Sequence, residues 1–425
     1  MKGTKINLCE DAFHAVIILI TFALLGTQNM VHYPFALMSA IGLWLIIKEP
    51  SVIYDKGSRN FFCVFALVWS PMLLSLLGAS DLASASKTTF SYIHFLFGGY
   101  YVYWASCREK TYRLVGLGVF SLVLFALSDA LIQFIFAIDL FGFPYDGAVL
   151  KGLFYPKERL GLFLAVLSPL ALYGVFKRQY KSVYSVLILS MIVLILLLCV
   201  KRSAWIMFGL SMLGFSYLIW INHRSTKKFM AMGFGILIAF TLSLVAVMYT
   251  PTYHTKVTLS SSFSSGDLQK IDIASNYRLS LWRTGTRIFL SEPINGIGAR
   301  GYRHIYAEHA DPNDFWLRDG RTGQNHPHLQ LLEIAAETGV VGLIGFFLIY
   351  LFFLREIIRE ANISMKAIWI LAVLVAWFPL NTHLAFYGSY WASFVWLLIP
   401  LALAQPNVGL SKKKGFNLGK GYSEG

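Results

Sequence analysis

The feature that most constrains this chain is a recurrence. Apolar runs of about 17 to 25 residues follow one another along it, each long enough to cross ~30 Å of hydrocarbon as a helix. Inside hydrocarbon no water can satisfy a backbone N–H or C=O, so a run of this kind must close its hydrogen bonds within itself. The runs predict spans at about 12–31, 33–49, 60–80, 88–106, 112–137, 160–176, 182–200, 203–221, 229–250, 329–354, 366–384 and 386–404. Composition agrees: 56% of the 425 residues are hydrophobic, only 14% are charged, and mean hydropathy is +0.60. A soluble domain has roughly 45–50% apolar residues. The expected fold is therefore an all-α integral membrane protein of about 12 transmembrane helices, with one large loop between spans 9 and 10.

Charge orients the spans. With both termini placed in the cytoplasm, Lys and Arg gather in the cytoplasmic loops, as at Lys48, Lys56 and Arg59, at Arg108, Lys110 and Arg113, and at Lys177, Arg178 and Lys181. The net charge of +14 is spread over helix ends rather than gathered into one patch, so the orientation of the spans explains it better than nucleic acid. The first apolar run is followed by no small-residue cleavage site and reads as a retained helix. Four cysteines without close spacing give neither a disulfide framework nor a zinc site. The resulting organisation is helices 1–9 over 1–250, a loop domain over 251–327, helices 10–12 over 328–404 and a cytoplasmic tail over 405–425.

A few cations break the pattern by falling on the outer side, among them Lys151, Arg159, Lys201 and Arg202. Lys201 and Arg202 sit between two spans with almost no loop. A bound anion explains such a pair; the alternative is a pair that snorkels to lipid headgroups. Within the long loop, periodicity from Asn276 to Leu290 predicts an amphipathic helix that stops at Glu292-Pro293, with Gly296 and Gly298 allowing a tight turn back to the membrane. Arg278 begins that helix, and Arg283 and Arg287, four apart, share a face. The plainer reading for these three is a solvated basic face. Finally, Asn325-His326-Pro327-His328 leads into an apolar run that contains Gly339-Val340-Val341-Gly342. Pro327 suits the first helical position and would place His328 in the first turn, where the positive end of the helix dipole favours neutral imidazole, the form a general base needs.

Together these residues resemble the bacterial O-antigen ligase and O-antigen polymerase superfamily. The resemblance rests on His328 ahead of Gly339-Val340-Val341-Gly342, on Arg202-Ser203-Ala204-Trp205, and on Arg278 followed by Trp282, Pro293 and Gly296-Ile297-Gly298. Many members carry a polar residue directly after the His where this chain has Leu329; Asn325 and Gln330 are the nearby residues that could take its place. The resemblance implies a large periplasmic loop in a bacterial inner-membrane protein, a donor glycan on undecaprenyl diphosphate, and a lipid A core sugar as acceptor. It implies His328 as the base and Arg202 and Arg278 as ligands of the diphosphate; Arg283, Arg287, His326 and Arg159 are further candidates for substrate contact. No cofactor is implied, and the displacement would invert the anomeric carbon.

Other readings compete. His326, His328, His304, His309 and Asp311 suggest a metal, but no Asp-x-Asp or His-Glu-x-x-His pattern is present. Asp129 inside a span suggests a proton-coupled transporter; a bundle hydrogen bond explains it equally, and one asymmetric outer loop fits an enzyme better. A polymerase that extends lipid-linked repeats uses the same donor as a ligase.

Overall fold

The computed structural model describes residues 2–27, 30–49, 55–177, 182–223, 267–360, 362–382 and 384–406, with isolated positions between 237 and 248. Among them the chain is helical: α1 (Lys2–Ala23), α2 (His32–Lys48), α3 (Lys56–Leu74), α4 (Leu82–Ser91), α5 (His94–Ser106), α6 (Glu109–Phe136), α7 (Leu160–Lys177), α8 (Ser182–Leu198) and α9 (Arg202–His223) precede the loop region. The loop region holds α10 (Leu268–Ala274), α11 (Arg278–Ser291) and α12 (Tyr302–His309); α13 (Gln330–Arg359), α14 (Met365–Ala376) and α15 (Ser389–Leu403) follow. Helix starts are set locally by short polar side chains that accept the otherwise unpaired first N–H groups. Asp55 accepts from Gly57 and Ser58 at 3.1 and 3.4 Å, Asp81 from Ser84 at 2.9 Å, and Ser364 from Ala367 at 3.1 Å.

Lys56–Gly78, Glu109–Phe136, Arg202–Ile221 and Gln330–Arg359 are long and apolar enough to cross a membrane, and five shorter apolar helices accompany them. Two of the spans drawn from the sequence differ in the structure, and a third lies largely outside the described residues. The run at 88–106 is cut into α4 and α5 by Tyr92 and Ile93. The run at 366–384 is helical only to Ala376, because Pro379 disfavours helical backbone in the residue before it and cannot donate to a continuing ladder. Twelve residues span only about 18 Å. The span at 229–250 lies largely outside the described residues.

The bundle is organised around its last two helices. Every residue from Ala367 to Ala376 of α14 and from Tyr390 to Leu403 of α15 is buried, including Trp369, Trp391 and Trp396. A helix apolar all round belongs at the centre. Accordingly α14 packs on α15, α7, α9 and α13, and α15 on α5, α3 and α1. Lipid is as apolar as these side chains, so helices gain by approaching closely enough for dispersion contact, and small residues permit it. At Gly42 a Cβ would lie 2.0 Å from the Phe97 carbonyl oxygen, and at Gly345 a Cβ would lie 2.2 Å from that of Leu67.

The described part of the loop region, residues 267–327, packs around a core of its own. Leu281, Ile288, Ile297, Tyr302 and Tyr306 form a small core that includes Ala336 of α13, so the loop region is seated on the first turns of that helix. The helix expected from Asn276 to Leu290 is α11, and Gly296 and Gly298 have the positive φ expected of the turn, +71° and +92°. Ser260 to Ser265 lie outside the described residues.

Asp129 of α6 is fully buried and accepts the Leu140 N–H at 3.1 Å; Gln133, one turn on, accepts the Gly152 N–H at 2.7 Å. Both side chains tie the segment between α6 and α7 to the bundle, which is the bundle-bond reading of Asp129.

Substituting Gly42 by Ala should lower stability by about 1–3 kcal/mol, since backbone of α5 would have to move. Gly209, with open space around its Cβ direction, serves as the control. Thermal unfolding in detergent should show the first variant shifted down and Gly209→Ala unchanged or slightly up.

Candidate functional site

The site begins with the way α13 starts. Gln330 and Leu331, in its first turn, donate their N–H groups to the carbonyls of Asn381 at 2.8 Å and Pro379 at 3.2 Å. The turn between α14 and α15 therefore caps α13 from outside, and the residues before it are free to do something else. This corrects the expectation for the histidines. Pro327 does not open the helix and His328 is not in its first turn: Leu329 is the N-cap in extended conformation, and His328 takes a left-handed φ of +51°. That backbone costs about 1 kcal/mol for a residue with a Cβ. The start of α13 therefore does not act on His328 as a helix dipole would on a residue of its first turn, because its first N–H groups are engaged by Asn381 and Pro379.

His328 instead packs against His326, with ring centroids 4.0 Å apart, and its backbone N–H donates to His326 Nδ1 at 3.3 Å. Pro327 between them is buried against the loop core, where its Cβ lies 3.4 Å from the Cβ position at Gly285 of α11. Beside the pair, Gln330 is fully buried, and neither its amide oxygen nor its amide nitrogen has a hydrogen-bond partner; the same holds for Asn381. Asn325 is exposed. Of the two polar residues that could stand in at the Leu329 position, Gln330 is therefore the buried one.

Arg202 and Arg278, 76 positions apart by number (278 − 202), are brought together. Arg202 begins α9 and donates to the Ala274 carbonyl at the end of α10 at 2.8 Å. Two residues in left-handed conformation, Asn276 and Tyr277, then reverse the chain into α11, whose first residue is Arg278. The reversal is pinned by Tyr277 stacking on Phe315 at 3.6 Å and by Trp316 Nε1–H donating to the Tyr277 carbonyl at 3.1 Å. Arg278 donates to Thr382 Oγ1 at 2.8 Å. Among the described residues no carboxylate pairs with it, and burial, reinforced by the charge of Arg202, lowers its pKa from the usual guanidinium value. Like charges held together in partial burial are costly unless an anion joins them.

Arg159, just before α7, lies with its guanidinium 4.0 Å above the Tyr390 ring, and one of its terminal nitrogens is buried without a hydrogen-bond partner. Its pKa is lowered by burial. The turn after α14 and the first turn of α15 thus touch Arg159, Arg278 and the start of α13 at once.

Arg283 and Arg287 go elsewhere. Both are exposed and both bind Asp311, at 2.9 and 2.7 Å, and Asp311 is held below the usual carboxylate range by those two hydrogen bonds. They form the solvated face that the plainer reading predicts. Lys201 is taken by an ion pair with Glu158. His304 faces Ser84 and Asp81, while His309 bonds its own helix, so these histidines do not join His326 and His328.

The sequence reading missed Glu333 and Glu337, both fully buried on the first turns of α13. Two carboxylates four residues apart in an otherwise apolar run were the available signal. Arg300 and Arg303 stand beside them: the Arg300 N–H donates to Glu337 Oε2 at 2.6 Å and its Nη1 is 4.0 Å from Glu333 Oε1. Burial and the charge of Arg300 lower the Arg303 pKa, with Glu337 and Glu333 opposing. Asn381, Thr382 and Tyr390 were also missed, because only tertiary structure gives that turn its neighbours.

Comparison with known proteins follows the same ground. Residues 185–347 match the family model described as O-antigen ligase. A protein of Rickettsia conorii named "Putative polysaccharide ligase" is 29% identical over 92 residues, a stretch that is 22% of this chain and 22% of that protein's length. The family segment contains Arg202, Arg278, His326 and His328; it excludes Arg159 and the Trp377–Tyr390 turn.

The aromatic stack that aims Arg278 is open to test. Phe315→Ala should remove about 1 kcal/mol of ring–ring interaction beyond the buried area lost. Thermal unfolding and protease resistance of the 267–327 region should both decline, and an unchanged digestion pattern would mean that the stack does not hold the reversal.

Proposed function

We propose, from the match of residues 185–347 to the O-antigen ligase family model, that the chain is a member of that family and transfers a glycan from undecaprenyl diphosphate to a lipid A core sugar. The site faces the periplasm of the inner membrane in this reading, with both termini cytoplasmic. The observation that carries it is the convergence of Arg202 and Arg278, two guanidinium groups from distant parts of the chain, with no carboxylate on Arg278 among the described residues and with its partner Thr382 next to the Asn381 that caps α13. A diphosphate is the anion best matched to two planar forks, each able to form paired hydrogen bonds with phosphate oxygens. Arg159 supplies a third cation on the other side of the turn, outside the family segment.

The reaction then needs no nucleotide sugar, since the diphosphate linkage of the donor already stores the free energy. His328 takes the proton from the acceptor hydroxyl as its oxygen attacks the anomeric carbon. The bond from that carbon to the diphosphate oxygen breaks on the opposite face, inverting the centre, and the arginines hold the departing undecaprenyl diphosphate. In this scheme no metal ion is required, so transfer should persist with a chelator present.

Purified protein in lipid, supplied with lipid-linked glycan and a lipid A core acceptor, tests the whole reading. A new glycoside should appear only when the acceptor is present; movement of donor across the bilayer without acceptor would indicate a carrier instead. In a deletion strain, a ligase leaves lipid-linked polymer accumulating and lipopolysaccharide without long chains, whereas loss of a polymerase leaves a core with one repeat.

His328→Ala should abolish transfer with expression and insertion unchanged, and His326→Ala should be milder. Wild-type turnover in the His328 variant would remove it as the base.

For the arginines, Lys at 202 or 278 keeps the charge but loses the fork, so both Lys variants should lose activity, with Ala worse. Donor binding by single and double Ala variants should show non-additive losses, as expected of one shared ligand. Retained wild-type affinity in the double variant would exclude the clamp.

A further inference from the structure

Glu337 has a structural explanation: its carboxylate accepts the Arg300 N–H at 2.6 Å and its backbone carbonyl accepts the Gly298 N–H at 3.1 Å, so it fastens the loop region to α13. Glu333, one turn earlier and equally buried, faces the backbone N–H groups of Phe386 and Tyr387 in the segment before α15, without a close hydrogen bond to either of its oxygens. Its nearest charged or titratable contacts are Arg300 Nη1 at 4.0 Å on one side and His326 Nδ1 at 3.8 Å on the other. A carboxyl group removed from water with so little compensation is expensive, and a buried ionisable group in an apolar helix is a functional candidate on that ground. What singles it out is the neighbour: His326 is the ring against which His328 stacks.

We propose that Glu333 is an electrostatic positioning residue of the histidine pair, a carboxylate beside His326 whose charge balances the positive charge gained when the pair takes a proton from the acceptor. The proposal rests on the reading of His328 as base given above. Glu333 itself touches no substrate and accepts no proton in this scheme; the acceptor O–H bond breaks and the N–H bond forms at His328. The other groups facing this carboxylate are Arg300 and Arg303 from the segment leading into and forming α12, Tyr302 of α12, Tyr387 of the turn before α15, and Glu337 on its own helix. The two arginines offset the two carboxylates, and the histidine pair is the neighbour whose charge changes during transfer.

Glu333→Gln keeps the shape and deletes the charge. Removing a negative neighbour makes an imidazolium less favourable, so a histidine that must be neutral to act stays neutral to lower pH. The acid limb of the pH–rate profile should therefore move down by about one pH unit, and kcat should fall by about tenfold to a hundredfold because the base is weaker and its charged form less stabilised. KM should change less than about threefold. Glu337→Gln, which weakens the loop fastening, should reduce activity without moving the limb.

Titration of His326 and His328 by NMR in labelled protein, assigned with His326→Ala and His328→Ala, reads the same coupling without needing turnover. A folded Glu333→Gln protein whose acid limb and histidine midpoints match the wild type overturns the proposal, however low its activity. If Glu333→Gln does not fold, Glu333→Asp serves: withdrawing the carboxylate by one methylene must still lower the histidine midpoints, and unchanged midpoints overturn the proposal there too. Absence of transferase activity in the wild-type protein, by contrast, refutes the reading of the function and is visible before any variant is made.

Discussion

The capping of α13 by the turn between α14 and α15 is the interaction on which the site depends. A helix that begins inside a protein has N–H groups that its own ladder cannot satisfy, and here the carbonyls of Asn381 and Pro379 take those of Gln330 and Leu331. Two things follow from that substitution of a distant segment for a local cap. Residues 325–329 are released from helical geometry, which lets His328 adopt its left-handed backbone and stack on His326. The turn is also fixed in place, and its Thr382 and, in the first turn of α15, Tyr390 then become the partners of Arg278 and Arg159.

Gly339 extends the same logic. It interrupts α13 with φ +64° and ψ −162°, and a Cβ there would lie 2.1 Å from the Ile294 carbonyl oxygen. Only glycine fits a backbone that is both left-handed and so closely approached. The break separates a short amphiphilic piece, which bears Gln330, Glu333 and Glu337, from the lipid-facing length that follows. Polar chemistry and membrane anchoring thereby share one helix without placing carboxylates at lipid depth.

Electrostatics divides the basic residues into two groups. Arg283, Arg287 and Lys201 are each matched by a carboxylate, and at the surface such pairs are worth little to stability. Arg278 and Arg159 are half-buried, have no carboxylate partner among the described residues and are made less basic by burial. In the sequence these two groups look alike; what separates them is the neighbouring Asp311 and Glu158, which fold in from elsewhere. Spacing of four residues on α11 correctly put Arg283 and Arg287 on one face, and that face turned out to be the outer one.

The sequence by itself determined the helical character of the chain, because apolar runs in hydrocarbon have only one way to satisfy their backbone. It also determined the helix at α11, its stop at Glu292-Pro293 and the glycine turn after it, since those rest on periodicity and on the limits of φ in proline and glycine. The residues of the arginine and histidine site were visible as motifs. Their assembly was decided by tertiary structure alone: which helices are short, that α14 ends at Ala376 and leaves a turn to cap α13, that His328 lies outside the helix, and that Glu333 sits beside His326. Each of these depends on contacts between segments tens to hundreds of residues apart, and local pattern carries no record of which distant carbonyl will satisfy a given N–H.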